Sequence, residues 1–401
     1  MELKSLQQTV TRRVTEVSPE LISLSQYLHT NPEIPFEEVK ACAALVMLMK
    51  KHGFEVETQC CDISTAFKAR YSSGKPGPRI AFLAEYDALK GLGHACGHNI
   101  IAASSSGAAI ALKSVIDETG GEVLLIGTPG EEGDGGKVFM ADRGAFDDID
   151  FALMMHPTTG TPKLGKITTA CCDVRVFFTG KDAHSSRPEN GVNALTAVIQ
   201  TFNNIDKLRP LFAIKDNING VILDGGNQPN IIPGKAVCAF TLRSVNLENL
   251  ERLIGFLRQS VSAAEALTGA SARFEFGGKF AEYYPNQPMM ERFKLHGEEL
   301  GETFEYADQS KMSGSSDVGN VSVLVPTIQE NLSIGPMGVI GHSPEFAEAA
   351  CSELGNQVCG KGAAVLALTA LDLLTDGELR RQARDSFEKQ VPAFYRLNRQ
   401  Q

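Results

Sequence analysis

Hydrophobic residues recur at helical spacing through the first fifty positions of the chain. Leu21, Leu24, Tyr27 and Leu28 share one face, and after the turn NPEIPFEE a second periodic stretch, VKACAALVMLMKKHG, closes at Gly53. Short apolar runs then alternate with helical ones. PRIAFLAEYDAL, EVLLIGTPG and FALMMHP read as strands, and the small-residue run from Ile101 to Ile116 reads as a helix. These strands are apolar on both faces, which predicts a sheet covered by helices on both sides.

After about residue 170 the periodicity changes. CCDVRVFFTG and KAVCAFTLRS alternate like half-exposed strands, GVNALTAVIQTFNNIDKL and LENLERLIGFLRQSVSAAEAL are amphipathic helices, and SARFEFGG is a further strand. This β-α-β…β-α-β order predicts a small α+β domain of ferredoxin-like type, inserted into the larger one. From about residue 287 the α/β character returns with helix MMERFKLHGEELG, strand NVSVLVPTIQ and helix GKGAAVLALTALDLLTD. The expected division is 1–169 with 287–401 for the α/β domain and 170–286 for the insertion. The insertion lets residues distant in sequence converge in space, and clefts tend to form where domains meet.

Composition narrows the function classes. The chain has 401 residues, suggesting two domains, and a formal net charge of −10 with no basic block, which argues against nucleic acid or an anionic membrane as partner. No uninterrupted apolar run approaches a membrane span, MELKSLQQTVTRRV lacks a signal-peptide core, and FYRLNRQQ carries no lipidation signal. The nine cysteines are odd in number and include two adjacent pairs, so a disulfide framework is not expected. A reducing, cytoplasmic setting is.

The candidate chemistry centres on His94-Ala95-Cys96-Gly97-His98-Asn99 and on Glu131-Glu132 downstream. Cysteine, histidine and glutamate are zinc-type ligands, and a second carboxylate beside a ligand can act as a base on water. Gly97 would let the backbone turn so that Cys96 and His98 face one ion. Either motif alone is equally at home in an ordinary loop. The glutamates, however, follow a buried strand, at the end where open α/β sheets place their sites. His156 and His342 lie in loops after apolar segments and could be ligands or ordinary loop residues. Asp87 could cap a turn.

In order along the chain, LAEYDAL, GLGHACGHN, GTPGEEG, MMHP, GKDAHSSRPENGVNAL, NQPNIIPGKA, TLRS, GSSDVGNVS and HSPEFAEAA cover roughly residues 20–375. Together they resemble the di-metal amidohydrolases that include aminoacylase, bacterial carboxypeptidases, auxin–amino acid hydrolases and p-aminobenzoyl-glutamate hydrolase. The wording is most similar to the branch containing β-alanyl-lysine dipeptidase. The resemblance implies a di-metal exopeptidase-like domain with a mixed sheet and an inserted lid or dimerisation domain. It also implies two divalent ions, zinc or manganese with cobalt possible in vitro, about 3.5–4 Å apart with a water or hydroxide between them. On that resemblance Cys96, His98, Glu132, His156 and His342 are metal ligands and Glu131 is the general base. Asp87 orients a ligand, and His184 stabilises the oxyanion from the partner subunit of a homodimer. Asn230 and Arg243 contact the substrate carboxylate.

The implied reaction is hydrolysis of an amide to release an amino acid, from a dipeptide or an N-acyl amino acid. Asn99, Lys90 and Asp134 depart from common family wording, and Glu85, where distant relatives place a histidine ligand, is expected to be structural. Three competing readings remain: a Cys96 nucleophile with a nearby histidine base, a non-catalytic acyl-amino acid binder, and a homologue repurposed for amide formation or acyl transfer. A Cys96 nucleophile would leave the other ligand-type residues unexplained.

Overall fold

The computed structural model describes residues 2–311 and 314–397. The chain divides into two compact units, 1–167 with 283–401, and 168–282. Strands β1 (Glu55–Thr58), β2 (Phe67–Ser72), β3 (Arg79–Ala84), β4 (Glu122–Gly127) and β5 (Phe151–Thr158) belong to the larger unit. The smaller unit holds β6 (Ala170–Thr179), β7 (Asn217–Asp224), β8 (Lys235–Ser244) and β9 (Ser271–Phe276), and β10 (Thr327–Ser333) returns to the larger one. Helices α1 (Leu3–Thr30), α2 (Val39–Lys51), α3 (His98–Thr119) and α4 (Gly136–Asp142) precede the insertion. The insertion contains α5 (Ala194–Leu208) and α6 (Leu247–Thr268). After it come α7 (Gln287–Glu299), α8 (Val318–Ser322), α9 (Pro344–Ala350), α10 (Glu353–Thr375) and α11 (Gly377–Gln390).

The large sheet is mixed, in the order β1-β2-β4-β3-β5-β10. β4, β3, β5 and β10 run parallel to one another, whereas β2 pairs antiparallel with both β1 and β4. The parallel strands are buried on both faces, as their continuous apolar runs require. On one side α3 packs against α1 and α10, with Leu21, Ile110, Leu112, Val365 and Leu366 in a common core. On the other, Phe146, Met140 and Val321 pack beneath Leu83 and Ile126. Helices α3 and α10 are long and apolar enough to cross a membrane. Their most apolar windows are 89% and 83% buried inside the protein, so here they serve as core helices.

In the smaller unit the sheet is antiparallel in the order β9-β6-β8-β7. This is the 4-1-3-2 arrangement of a β-α-β-β-α-β unit. The period-2 alternation of β6 and β8 turns Val174, Val176, Phe178, Cys238, Phe240 and Leu242 inward, against Val198, Leu253 and Leu257 of α5 and α6. Asn193 and Asn246 cap those helices by accepting from the backbone amides of Thr196 and Asn249.

One sequence expectation is overturned. NVSVLVPTIQ is not a single strand: Val318–Ser322 forms the short helix α8, and β10 begins only at Thr327. Val318, Val321 and Val325 are buried at helical spacing. Pro326, which has no amide to give a ladder, separates helix from strand.

Candidate metal centre

Four parallel strands deliver the candidate residues at their C-terminal ends, where open α/β sheets build sites. Glu85 and Asp87 directly follow β3, Glu131 and Glu132 lie in the loop after β4, and His156 stands near the end of β5. His342 comes from the loop after β10, and its backbone N–H donates to Ala95 O at 2.9 Å, tying that loop to the Cys96 turn. It sits at φ 62°, a left-handed conformation rare for a residue with a side chain. Gly97, at φ 76°, starts α3 so closely against Pro157 that a Cβ would overlap the proline ring. Glu38 braces the β4 loop from below: its carboxylate accepts from Gly130 N, Phe36 N and the Thr65 hydroxyl, each at 2.8 Å. Burial, with the nearby Asp87 charge, pushes its pKa up to about 7.

The structure brings together all five expected ligands and the expected base. Ligand atoms of Cys96, His98 and His156 lie within 4.8 Å of one another, as do those of Cys96, Glu132 and His342, and those of His98, Glu131 and Glu132. The first two triples share Cys96. Its Sγ is 3.6 Å from His156 Nε2, and His342 Nε2 is 3.1 Å from Glu132 Oε1. Asp87 organises the group, with Oδ1 3.0 Å from His98 Nδ1 and Oδ2 accepting from the Glu132 backbone N–H at 2.9 Å. That fixes which ring nitrogen of His98 is left for the centre.

These donors suit divalent cations. His98 Nε2, Glu132 Oε1 and Glu85 Oε2 are buried without a hydrogen-bond partner, an arrangement that normally costs on the order of 1–3 kcal/mol per group. Their convergence accounts for it: His98 Nε2 lies 3.3 Å from Glu85 Oε2 and His342 Nε2 3.1 Å from Glu132 Oε1, so these donor atoms crowd one space that a cation would suit. Burial lowers the pKa of His156 to about 4, leaving that imidazole neutral and able to ligate. Burial alone would lower His98 as well, but the Asp87 and Glu85 carboxylates override it and hold its pKa well above the usual value. Burial, followed by the charges of Glu85, Asp317 and Glu132, raises Glu131 well above the ordinary carboxylate range.

Other expected residues lie elsewhere. His94, within the same HACGH motif, joins none of these groups; it is buried and stacked on His29. His184 and Asn230 are neighbours in the smaller unit: Ile231 pairs with His184, and Ser185 N donates to Asn230 O at 2.9 Å. His184 Nδ1 is 2.8 Å from the Ser186 hydroxyl. Arg243 lies on β8, opposite Cys171 and Asn217.

Two residues that the sequence did not single out, Lys137 and Asp317, are fully buried beside the centre, and Glu85, expected to be structural, places Oε2 3.3 Å from His98 Nε2. A lysine directly after the GDGG stretch and an aspartate inside GSSDVGNVS were the available signals.

This fold and donor set are those of metallopeptidases, and the chain belongs to the M20 peptidase family. It is 32% identical to the Xaa-Arg dipeptidase of Mus musculus over 420 residues, covering 99% of this chain and 95% of that protein. It is 30% identical to one of the p-aminobenzoyl-glutamate hydrolase polypeptides of Escherichia coli, over 66% of this chain and 59% of that one. Residues 170–266 match a family model described as a peptidase dimerisation domain. Among solved structures, an aminobenzoyl-glutamate utilization protein from Klebsiella pneumoniae superposes with a TM-score of 0.71 at 18% identity, covering 92% of this chain and 98% of that one. A dinuclear metal-binding peptidase of the M20 family from Bacillus subtilis gives 0.65 at 21% identity, covering 89% and 99%.

Proposed function

We propose that this enzyme hydrolyses an amide bond to release an amino acid from a dipeptide or N-acyl amino acid, using two divalent cations held by Cys96, His98, Glu132, His156 and His342. The observation carrying this reading is the pair of ligand triples that share Cys96, flanked by the half-buried carboxylate of Glu131. The cations, zinc or manganese, would supply Lewis-acid polarisation of the amide carbonyl and acidify a water molecule. The protein's own groups do the rest. The Glu131 carboxylate takes a proton from the attacking water and hands it to the leaving nitrogen as the C–N bond breaks. Asp87 holds His98 in one tautomer through Nδ1. From the partner subunit of a homodimer His184 would donate to the oxyanion, and Asn230 and Arg243 would engage the substrate carboxylate, where a guanidinium forms paired hydrogen bonds.

A homodimer assembled through the smaller unit is part of this proposal. Strand β7 is an edge strand with Val221, Ile222 and Leu223 exposed, an apolar edge that a second copy would cover. All nine cysteines are free, which fits a cytoplasmic setting. The mouse relative's name puts dipeptides ending in arginine first among substrates to try.

The test is turnover of a mixed panel of dipeptides and N-acyl amino acids, followed by mass spectrometry with metal-loaded and chelated protein. Cleavage should vanish on chelation and return with zinc or manganese. Cleavage that survives complete metal removal would overturn the reading.

A further inference from the structure

The acids at the centre outnumber what the ligand set uses. Glu85, Glu131 and Asp317 bring carboxylate oxygens within 4.8 Å of one another, with Glu85 and Asp317 fully buried. Three converging carboxylates are the donor set that hard divalent cations take. Into this cluster the protein inserts Lys137, also fully buried. Its Nζ donates to Glu85 Oε1 at 2.6 Å and to Asp317 Oδ1 at 2.7 Å, and its backbone N–H donates to Asp317 Oδ2 at 2.9 Å. The placement depends on Gly136, where a Cβ would overlap Pro129 O, so α4 can begin this close to the β4 loop only with glycine.

A buried lysine is a costly way to fill space, since two charges leave water for each pair formed. Its geometry shows what the charge accomplishes. The ammonium occupies one oxygen of Glu85 and leaves Oε2 facing His98 Nε2, at the border with the Cys/His cluster. Glu131 belongs to both clusters. Without a resident cation, a metal entering the acid cluster would compete for Glu131. A lysine ammonium is a compact point charge that can stand in a metal's place.

We propose that the Lys137 ammonium, paired with Glu85 and Asp317, is a fixed internal cation that stands in place of a metal ion in the Glu85–Glu131–Asp317 cluster, closing it to further loading and so leaving Glu131 to the metal centre. This rests on reading the Cys96–His98–Glu132–His156–His342 group as the metal centre. Lys137 is a positioning residue and touches no reacting atom.

The experiment counts bound zinc or manganese by elemental analysis after loading and desalting, and follows thermal unfolding in chelator and in metal. Wild-type protein should hold two ions per chain and Lys137→Met three. In chelator, Lys137→Met should melt lower on the order of 10 °C, the scale of a broken buried pair, and excess metal should restore most of that loss. Lys137→Arg should retain two ions and near wild-type melting in chelator. The double variant Lys137→Met/Asp317→Asn, with one fewer acid, should recover part of the chelator stability and return to two ions. Turnover by metal-loaded Lys137→Met should fall by roughly 100-fold in kcat, the scale of a misplaced catalytic group, with KM changed little.

Two ions in Lys137→Met, with melting lowered equally in chelator and metal, would make the lysine a plain structural plug and overturn the proposal. A double variant no more stable than the single one would do the same. Wild-type protein that holds no metal would instead overturn the metal-centre reading beneath it.

Discussion

The two units bury different chemistry. The interior of the larger unit is threaded with ionisable groups: Glu38, Glu85, Asp87, His94, His98, Lys137, His296, Asp317 and Glu330 are all buried. The core of the smaller unit is almost wholly apolar, built from Val174, Val176, Phe178, Phe240, Leu253 and their neighbours. Its buried carboxylates, those of Glu282 and Asp216, tie down local structure. Glu282 accepts from Leu247 N, and Asp216 accepts from Ala213 N, Ser244 and Arg252. In the larger unit the acids face one another and a lysine. Apolar burial alone could hold either fold, so the charged interior marks where stability yields to chemistry.

The largest effect that separates the two regions is expected at Glu131. Glu131→Gln keeps the shape of the side chain and removes the proton acceptor, so kcat should fall by at least ~10³-fold, within the range that general-base catalysis contributes. Bound metal, counted by elemental analysis, should stay near the wild-type level. Normal turnover in this variant would remove Glu131 from the mechanism and leave the charged interior without its assigned purpose.

Phe178→Ala makes the opposite cut. Truncating this fully buried ring leaves a cavity in the smaller unit and should cost about 3–5 kcal/mol in chemical denaturation. The loss should be the same in chelator and in metal, because none of the candidate ligands lies in this unit. A loss that changed with metal loading would show that the apolar core and the charged centre are coupled, and the contrast between them would weaken.

That contrast also explains what could be read from the sequence. Strands β3, β4, β5, β6 and β8 and helices α3, α5 and α6 announce themselves through apolar periodicity, because each must bury a face. Helix α11 buries only Leu379 and Ala383, and β7 exposes Val221, Ile222 and Leu223, so neither carries a clean pattern. Motifs that cluster in sequence drew attention to the candidate site, since Cys96 with His98 and Glu131 with Glu132 are local features. Lys137, Asp317 and Glu85 come from three separate segments and become a unit only when α4, α8 and the end of β3 meet. A lone lysine or aspartate gives no local sign that it will be buried.

The smallest effect lies at His296, where α7 meets α10. Its Nε2 is 2.9 Å from Asp372 Oδ2 and its Nδ1 3.1 Å from Glu299 Oε2. Burial works against the charged ring, but the hydrogen bond and charge of Asp372, with those of Glu299, outweigh it and raise the pKa above its ordinary value. The folded protein therefore binds this proton more tightly than the unfolded chain does. The resulting stabilisation is fully present below the unfolded pKa of about 6.5 and disappears as pH rises through the higher folded value. The melting difference between wild-type protein and His296→Gln should accordingly be largest near pH 6 and shrink on the alkaline side. Subtracting the variant removes the contribution of the metal centre's own protons, which both proteins share. A difference that stayed constant across that range would mean His296 acts by packing alone. The smaller unit's single histidine, His184, is exposed, so no matching buried imidazole exists there, and the pH effect belongs to the larger unit.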